Sequence, residues 1–178
     1  MKIITANNFS KRQLKEIKEL YLEAFPKIER MPFWLIRLYK FNKKACLTGY
    51  YEDNVLCGIS FSIKNNEAVS VAYLAVNPKL RGKGYGSKIL QEIKKDAKNR
   101  IVFLEVEQLD DTADNAEQRR KRVKFYEKNG FYLSEYKMVT LGFVYSIMST
   151  SEELSVPKYK RVIGEYFKSK YSPQLYKE

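Results

Sequence analysis

Apolar residues recur along this chain with two periods, and the switches between them mark out its elements. Lys2 to Ala6 reads as a short strand. Ser10 and Gln13 stand at capping-box spacing, and Leu14, Ile17, Leu20, Tyr21 and Ala24 follow with helical period until Pro26 stops them. Met31 to Ile36 predicts a second short helix with Pro32 near its first turn. Its aromatics are expected mainly in the core, although they could also line a substrate pocket. A meander follows. Ala45 to Tyr51 and Val55 to Ile63 read as strands around the tight turn Glu52-Asp53-Asn54, and Lys64 to Glu67 turns again into Ala68 to Val76.

Beyond Val76 the period lengthens. Tyr85, Ile89, Ile93 and Ala97 share one helical face, with Lys88, Glu92, Lys94 and Lys95 on the polar side, to about Lys98. Ile101 to Glu107 alternates as a strand, and its helical connection predicts parallel pairing with the strand before. A polar segment, Gln108 to Ala113, leads to a helix expected to be capped by Asp114, with Glu117 three residues on, and to run to about Lys128. Gly130 is the expected left-handed cap, with Phe131 its apolar companion. Tyr132 to Thr140 and Phe143 to Ser149 predict a hairpin around Leu141-Gly142. Val156 to Ser169 predicts a closing helix with Val162, Ile163, Tyr166 and Phe167 as its stripe. The order β-α-α-β-β-β-α-β-α-β-β with an added helix predicts an α/β (α+β) fold. No repeat or linker divides it, so a single domain over residues 1–178 is expected, with 151–178 as a C-terminal helical extension.

Composition narrows the function. Hydrophobic residues are 44% and charged residues 30%, which suits a globular chain. No run of eighteen apolar residues occurs, and the N-terminus lacks an apolar signal region, so neither membrane span nor signal peptide is expected. Cys46 and Cys57 form no C-x-x-C and the chain has no histidine, which argues against metal and redox sites. Reduced thiols in the cytoplasm are the expectation. The formal net charge of +12 attracts polyanions at long range, but the lysines are spread along the chain and no nucleic-acid motif accompanies them. Most of that charge reads as solvated surface.

The chemistry concentrates between the strand ending at Val76 and the helix starting near Tyr85. Gly82, Gly84 and Gly86 alternate there with Arg81, Lys83 and Tyr85. Glycines permit close backbone approach, and a helix start offers unpaired N–H groups, so strand, loop and helix together suit a pyrophosphate. No P-loop string G-x-x-x-x-G-K-[ST] is present, and G-x-G-x-x-G fails at Ser87. The spacing R-x-x-G-x-G of Arg81, Gly84 and Gly86 is met, and on it the chain resembles the GNAT superfamily of acetyl-CoA-dependent N-acetyltransferases. F-Y-E-K-N-G-F, Phe125 to Phe131, resembles the family's helix and turn that close the coenzyme site. L-E-V-E, Leu104 to Glu107, looks like the L-E-V-R strand of its ribosomal-protein acetyltransferases. The element order is also the family's. The resemblance departs where the family has N-x-x-A-x-x-x-Y: here those positions hold Arg119 and Arg122, and Asn115 is the candidate for the asparagine's role.

The resemblance implies acetyl-CoA as co-substrate, no metal, and direct transfer to an amine. It places the coenzyme against Leu74, Ala75, Val76, Arg81, Gly82, Lys83, Gly84, Tyr85, Gly86, Ser87 and Asn115. It marks Glu105 as base and Tyr126 as the proton donor to the departing thiolate, with a backbone N–H near Ala75 or Val76 as oxyanion donor. The residues support Glu105 independently. Ile101, Phe103, Glu105 and Glu107 alternate onto one strand face, where apolar neighbours raise a carboxylate's pKa, and no histidine competes for the role. Glu107 or a water-mediated route stays open beside it. Of the run Arg119-Arg120-Lys121-Arg122, consecutive residues point about 100° apart, so most read as solvated and one or two could reach a coenzyme phosphate. Phe25 to Tyr39 and the acidic Gln108 to Ala113 are the expected specificity segments. The acceptor is expected to be a small amine or a peptide, on a monomer or homodimer. Neither nucleic acid nor membrane is an expected partner. The competing readings are transfer from another acyl-CoA, a coenzyme A sensor, and a basic nucleic-acid-binding module.

Overall fold

The computed structural model describes residues 1–5, 8–41, 44–140, 142–164 and 174–178. The strands are β1 (Lys2–Thr5), β2 (Ala45–Glu52), β3 (Val55–Lys64), β4 (Ala68–Val76), β5 (Ile101–Glu107), β6 (Tyr132–Thr140), β7 (Phe143–Ser149) and β8 (Gln174–Lys177). The helices are α1 (Lys11–Ala24), α2 (Phe33–Leu38), α3 (Tyr85–Ala97), α4 (Ala116–Lys128) and α5 (Val156–Gly164). The strands are ordered β1-β2-β3-β4-β5-β7-β6-β8, mostly antiparallel, with β4 and β5 parallel as their helical connection predicts. The chain divides into two compact units, residues 1–63 with 72–93 and residues 64–71 with 94–178, so that β4 and α3 each pass from one to the other.

In the first unit α1 begins on a complete capping box. Gln13 N–H donates to Ser10 Oγ at 3.2 Å and Ser10 N–H to Gln13 Oε1 at 2.9 Å. It ends at Ala24, because Phe25, the residue before Pro26, is extended. The β2–β3 hairpin closes through Asp53 and Asn54, both at positive φ (48° and 62°), which matches the twist of a two-residue turn. Tyr21 lies at the centre of the packing. Its ring meets Phe25, Phe33 and Tyr73, and its hydroxyl donates to the Met31 carbonyl at 3.0 Å. Phe33 and Ile36 of α2 are core, but Trp34 is 64% exposed, so only part of that aromatic segment packs inward.

In the second unit the face of β5 carrying Phe103 packs with Ile147, Met138, Tyr159, Val162 and Ile163. The ladder between β4 and β5 runs from Ala68↔Ile101 to Val71↔Leu104; β4 continues for five residues past it, and Glu105 to Glu107 pair with β7. Gly130 is left-handed (φ 74°) after α4, as its spacing predicts.

Two expectations differ from the structure, and two reach past the described residues. The first strand spans Lys2–Thr5, and Ala6 lies outside the described residues. Helix α4 is preceded by Asn115, not capped by Asp114, and the Asn115 side chain caps nothing because Glu107 and Arg119 engage it instead. The closing helix is Val156–Gly164; the rest of the span expected to Ser169, with Tyr166 and Phe167, lies outside the described residues. Strand β8 was not anticipated. Its four residues carry no period of their own and become a strand by pairing with Tyr136 to Val139 of β6. Cys46 and Cys57 are free thiols, and no described helix is long and apolar enough to cross a membrane.

One packing position is tight enough to test. A Cβ at Gly58 of β3 would lie 2.5 Å from the Ala75 carbonyl oxygen and 2.5 Å from Ile89 Cδ1. Backbone cannot yield as a flexible side chain can. Gly58→Ala should therefore lower stability by about 1–3 kcal/mol, read as a lower urea midpoint at unchanged m-value.

Candidate active site

The glycine loop is built from its first residue. Asn77 ends β4 with its N–H on the Cys57 carbonyl at 2.9 Å and its side-chain amide on the Leu56 carbonyl at 2.8 Å. Its Oδ1 accepts from Lys79 N–H at 3.1 Å, starting the 3₁₀ turn Pro78–Leu80. The chain then passes through Gly82 (φ 77°) and Gly84 (φ 81°), where side chains would be strained and where no atom lies within 4 Å of a Cβ position. Helix α3 starts at once: Lys88 N–H donates to the Gly84 carbonyl at 3.1 Å. The first-turn amides of Tyr85, Gly86 and Ser87 thus have no helical acceptor. Tyr85 anchors the turn, its hydroxyl donating to Glu52 Oε2 at 2.6 Å. Arg81 and Lys83 are exposed and have no ion-pair partner among the described residues. Open space, positive φ, free amides and two cations fit a pyrophosphate. Leu74 and Val76 are partly buried and Ala75 is buried just before this loop.

The second unit holds the candidate acid–base residues. Glu105 and Glu107 lie two residues apart on β5, yet their surroundings are opposite. Tyr159, which packs in the cluster of Phe103 and Met138, donates its Oη to Glu105 Oε1 at 2.7 Å. That hydroxyl also lies 3.0 Å from Met138 Sδ. Burial raises the Glu105 pKa to about 7, with the Tyr159 hydrogen bond opposing it only in part. Glu105 Oε2 has no side-chain partner among the described residues. Glu107 accepts from Asn115 Nδ2 at 2.9 Å and from Arg122, with Arg119 Nη2 at 3.5 Å. Burial would raise its pKa, but these donors and charges outweigh it and hold the carboxyl below its usual value. Glu107 is a fixed anion, and Glu105 is the carboxyl poised to change charge near neutrality.

Asn115 has both ends of its amide engaged, donating to Glu107 and accepting from Arg119 Nε at 2.7 Å. The basic run is therefore less solvated than expected. Arg119 and Arg122 turn onto Glu107, while Arg120 pairs with Asp111 and Glu117, and Lys121 with Glu117. Asp110 is likewise engaged, accepting from Thr112 N–H at 2.9 Å and from its hydroxyl at 2.6 Å. Tyr126 packs edge-on against Phe125 and Phe131. Its hydroxyl makes no hydrogen bond with a described residue, and burial raises its pKa to about 12, so it stays a proton donor at neutral pH.

Tyr159 is the residue that sequence reasoning missed. The signal was the spacing of Tyr159, Val162 and Ile163, which marks Tyr159 as part of the apolar stripe of α5, but nothing local links that stripe to β5. Among the described residues no group of three or more acidic, histidine or cysteine side chains is placed to hold a metal.

Comparison with known proteins bears on the fold and the family of this chain. The acetyltransferase (GNAT) family model matches residues 14–131, more than half of the chain. The Bacillus subtilis (strain 168) protein YjbC, an acetyltransferase by name, is 33% identical over 82 residues; the match spans 46% of this chain and 40% of that protein's length, less than half of each. A GNAT-family acetyltransferase by name from Bacteroides thetaiotaomicron superposes with a TM-score of 0.76 over 97% of this chain and 99% of its own, at 22% identity. An aminoglycoside 6′-N-acetyltransferase solved with coenzyme A gives a TM-score of 0.63 over 86% of this chain and 98% of its own, at 16% identity. A Bacillus subtilis acetyltransferase, also in complex with coenzyme A, gives 0.59 over 83% and 96%, at 14% identity. At these identities the structures speak to the fold, and the family match speaks to ancestry. The chain belongs to the GNAT acetyltransferase family.

Proposed function

We propose that this protein is an N-acetyltransferase that moves an acetyl group from acetyl-CoA directly to an amine, on a small molecule or a peptide, in a ternary complex. The observation that carries the reading is Glu105, a carboxyl whose pKa is raised to about 7 in a chain without histidine. An ammonium must lose a proton before its nitrogen can attack a thioester, and a base is most effective when its pKa lies near the working pH.

The chain's residues divide the work. The amides of residues 82–87 and the cations of Arg81 and Lys83 hold the coenzyme's pyrophosphate. The backbone around Ala75 and Val76, with Leu74, faces the pantetheine and offers an N–H to the developing oxyanion. Glu105 takes the proton from the amine, directly or through water, as the N–C bond forms. The C–S bond then breaks, and Tyr126 gives its proton to the sulfur. Asn115 acts through Glu107 and Arg119, which fix the start of α4 and hence Tyr126. Coenzyme-complexed relatives with the same fold support the co-substrate class.

The cradle is tested by calorimetry. Gly84→Val places a β-branched side chain at φ 81° in the space meant for phosphate. Acetyl-CoA affinity should fall at least tenfold while circular dichroism shows a retained fold; unchanged affinity would defeat the assignment.

The base is tested by pH–rate profiles, using whichever amine in a panel of amines and peptides gives thiol release from acetyl-CoA. The wild-type rate should rise through pH 7 as Glu105 loses its proton. Glu105→Gln should remove that limb and lower kcat about a hundredfold or more, with acetyl-CoA affinity kept. Tyr159→Phe removes a hydrogen bond that favours the ionised carboxyl, so the limb should move to higher pH. A limb unchanged in Glu105→Gln would belong to the amine itself.

Glu107→Gln gives the contrast. It should leave the limb in place and cost stability instead, by about 1–3 kcal/mol at pH 7. Because the folded-state pKa of Glu107 is depressed, its contribution is full above about pH 4.3 and is lost as pH falls through the folded value. The gap in urea midpoint between variant and wild type should close over that range.

A further inference from the structure

A basic groove with an apolar floor runs along α1 and α2, within the first unit. It encloses about 850 Å³, inside the size range of small-molecule clefts. Lys11, Lys15 and Lys18 form one bank, four and three residues apart on one stripe of α1. Lys27, Arg30 and Arg37 form the other. No carboxylate lines the groove. Arg30 is set in place, Nη1 donating to the carbonyls of Leu22 at 2.8 Å and Phe25 at 3.1 Å. Lys15 has a loose pair with Glu19 at 3.9 Å; Lys11, Lys18, Lys27 and Arg37 have no ion-pair partner among the described residues. The floor between the banks is Leu14, Leu22, Met31, Phe33 and Trp34.

Each feature costs stability in the free protein. Like charges one turn apart on a helix repel. Trp34, 64% exposed, and Leu22, 37% exposed, leave apolar surface in water. A ligand with both an apolar body and negative charge would reverse both costs.

We propose that this groove binds a free amphipathic anion: an aliphatic body lying on the Leu14–Leu22–Trp34 floor, with a carboxylate or phosphate head held between the lysine bank and Arg37. Charge complementarity excludes a cationic ligand. Single-stranded nucleic acid needs successive aromatic platforms for its bases, whereas Trp34 is the sole exposed aromatic of this lining and the other exposed floor residue is aliphatic. The cleft volume of about 850 Å³ suits one small molecule better than the plane of a bilayer. The groove shares no residue with the glycine loop, Glu105 or Tyr126, although Lys27 to Arg37 of its lining belong to the segment expected to choose the acceptor, and anion binding there is measurable without acetyl transfer.

Trp34 is the only tryptophan in the chain, so its emission reports on the groove directly. The test titrates the whole protein with dodecyl phosphate below its micelle concentration. Parallel titrations use dodecyltrimethylammonium, inorganic phosphate, anionic phosphatidylglycerol vesicles and an oligouridine. Dodecyl phosphate should give a saturable blue shift, and the cationic detergent should give none. The doubly substituted Lys18→Glu, Arg37→Glu should bind dodecyl phosphate at least tenfold more weakly while its circular dichroism is unchanged. The single variant Lys18→Glu, with a smaller loss, keeps the test open if the double variant does not fold. No response to dodecyl phosphate, an equal response to the cationic detergent, or full affinity in the folded variants would overturn the proposal. Tighter binding of vesicles or of the oligonucleotide than of dodecyl phosphate would replace the occupant and equally overturn it.

Discussion

Two carboxylates, two residues apart on one face of β5, are held in opposite electrostatic states, and the proposed chemistry depends on that difference. Both lose water on entering the fold, which by itself favours the neutral acid. Glu107 regains more than it loses from the guanidinium groups of Arg119 and Arg122 and the amide of Asn115. Glu105 receives one neutral donor, the Tyr159 hydroxyl, which offsets only part of its desolvation. One side chain is left as a fixed charge that positions a helix, the other as a group whose charge changes near neutral pH. The strand geometry is the same for both; the neighbours assign the roles.

Those neighbours lie outside the motifs on which the family resemblance rests. Arg119 and Arg122 occupy positions where the family resemblance expects an asparagine and an alanine. Tyr159 lies on α5, beyond residues 14–131 that the family model matches. The connection before α4 is tied to itself and to that helix through Asp110, Asp111 and Arg120. Its acidic residues are therefore already engaged and offer less to a cationic acceptor than their composition suggests. The glycine loop keeps the R-x-x-G-x-G spacing of the resemblance, while the groups that set the charge of Glu105 and Glu107 come from elsewhere in the chain.

The high positive charge is likewise uneven in kind. Around α4 each arginine has a carboxylate within reach. In the groove along α1 and α2 most cations have none. A charge total cannot separate these cases, because a paired ion and an isolated one contribute the same formal charge wherever they lie. The glycine loop shows a third kind, with Arg81 and Lys83 exposed beside unpaired amides, an arrangement suited to phosphate rather than to stability.

What the sequence determined by itself was local. Helical period, the Ser10–Gln13 capping box, the alternation that puts Glu105 and Glu107 on one strand face, and the left-handed Gly130 all follow from backbone geometry acting over a few residues. Gly82 and Gly84 adopt positive φ where alternate glycines permit it. The tertiary structure decided the rest. Glu105 owes its raised pKa to burial in the fold, and the hydrogen bond that offsets part of that rise comes from Tyr159, fifty-four residues away along the chain. Strand β8 exists only through its ladder to β6, and Trp34 is exposed because Phe33 and Ile36 take the inward face of a six-residue helix. A side chain's charge state and exposure depend on what desolvates and pairs it, and that is set by distant segments which no local period records.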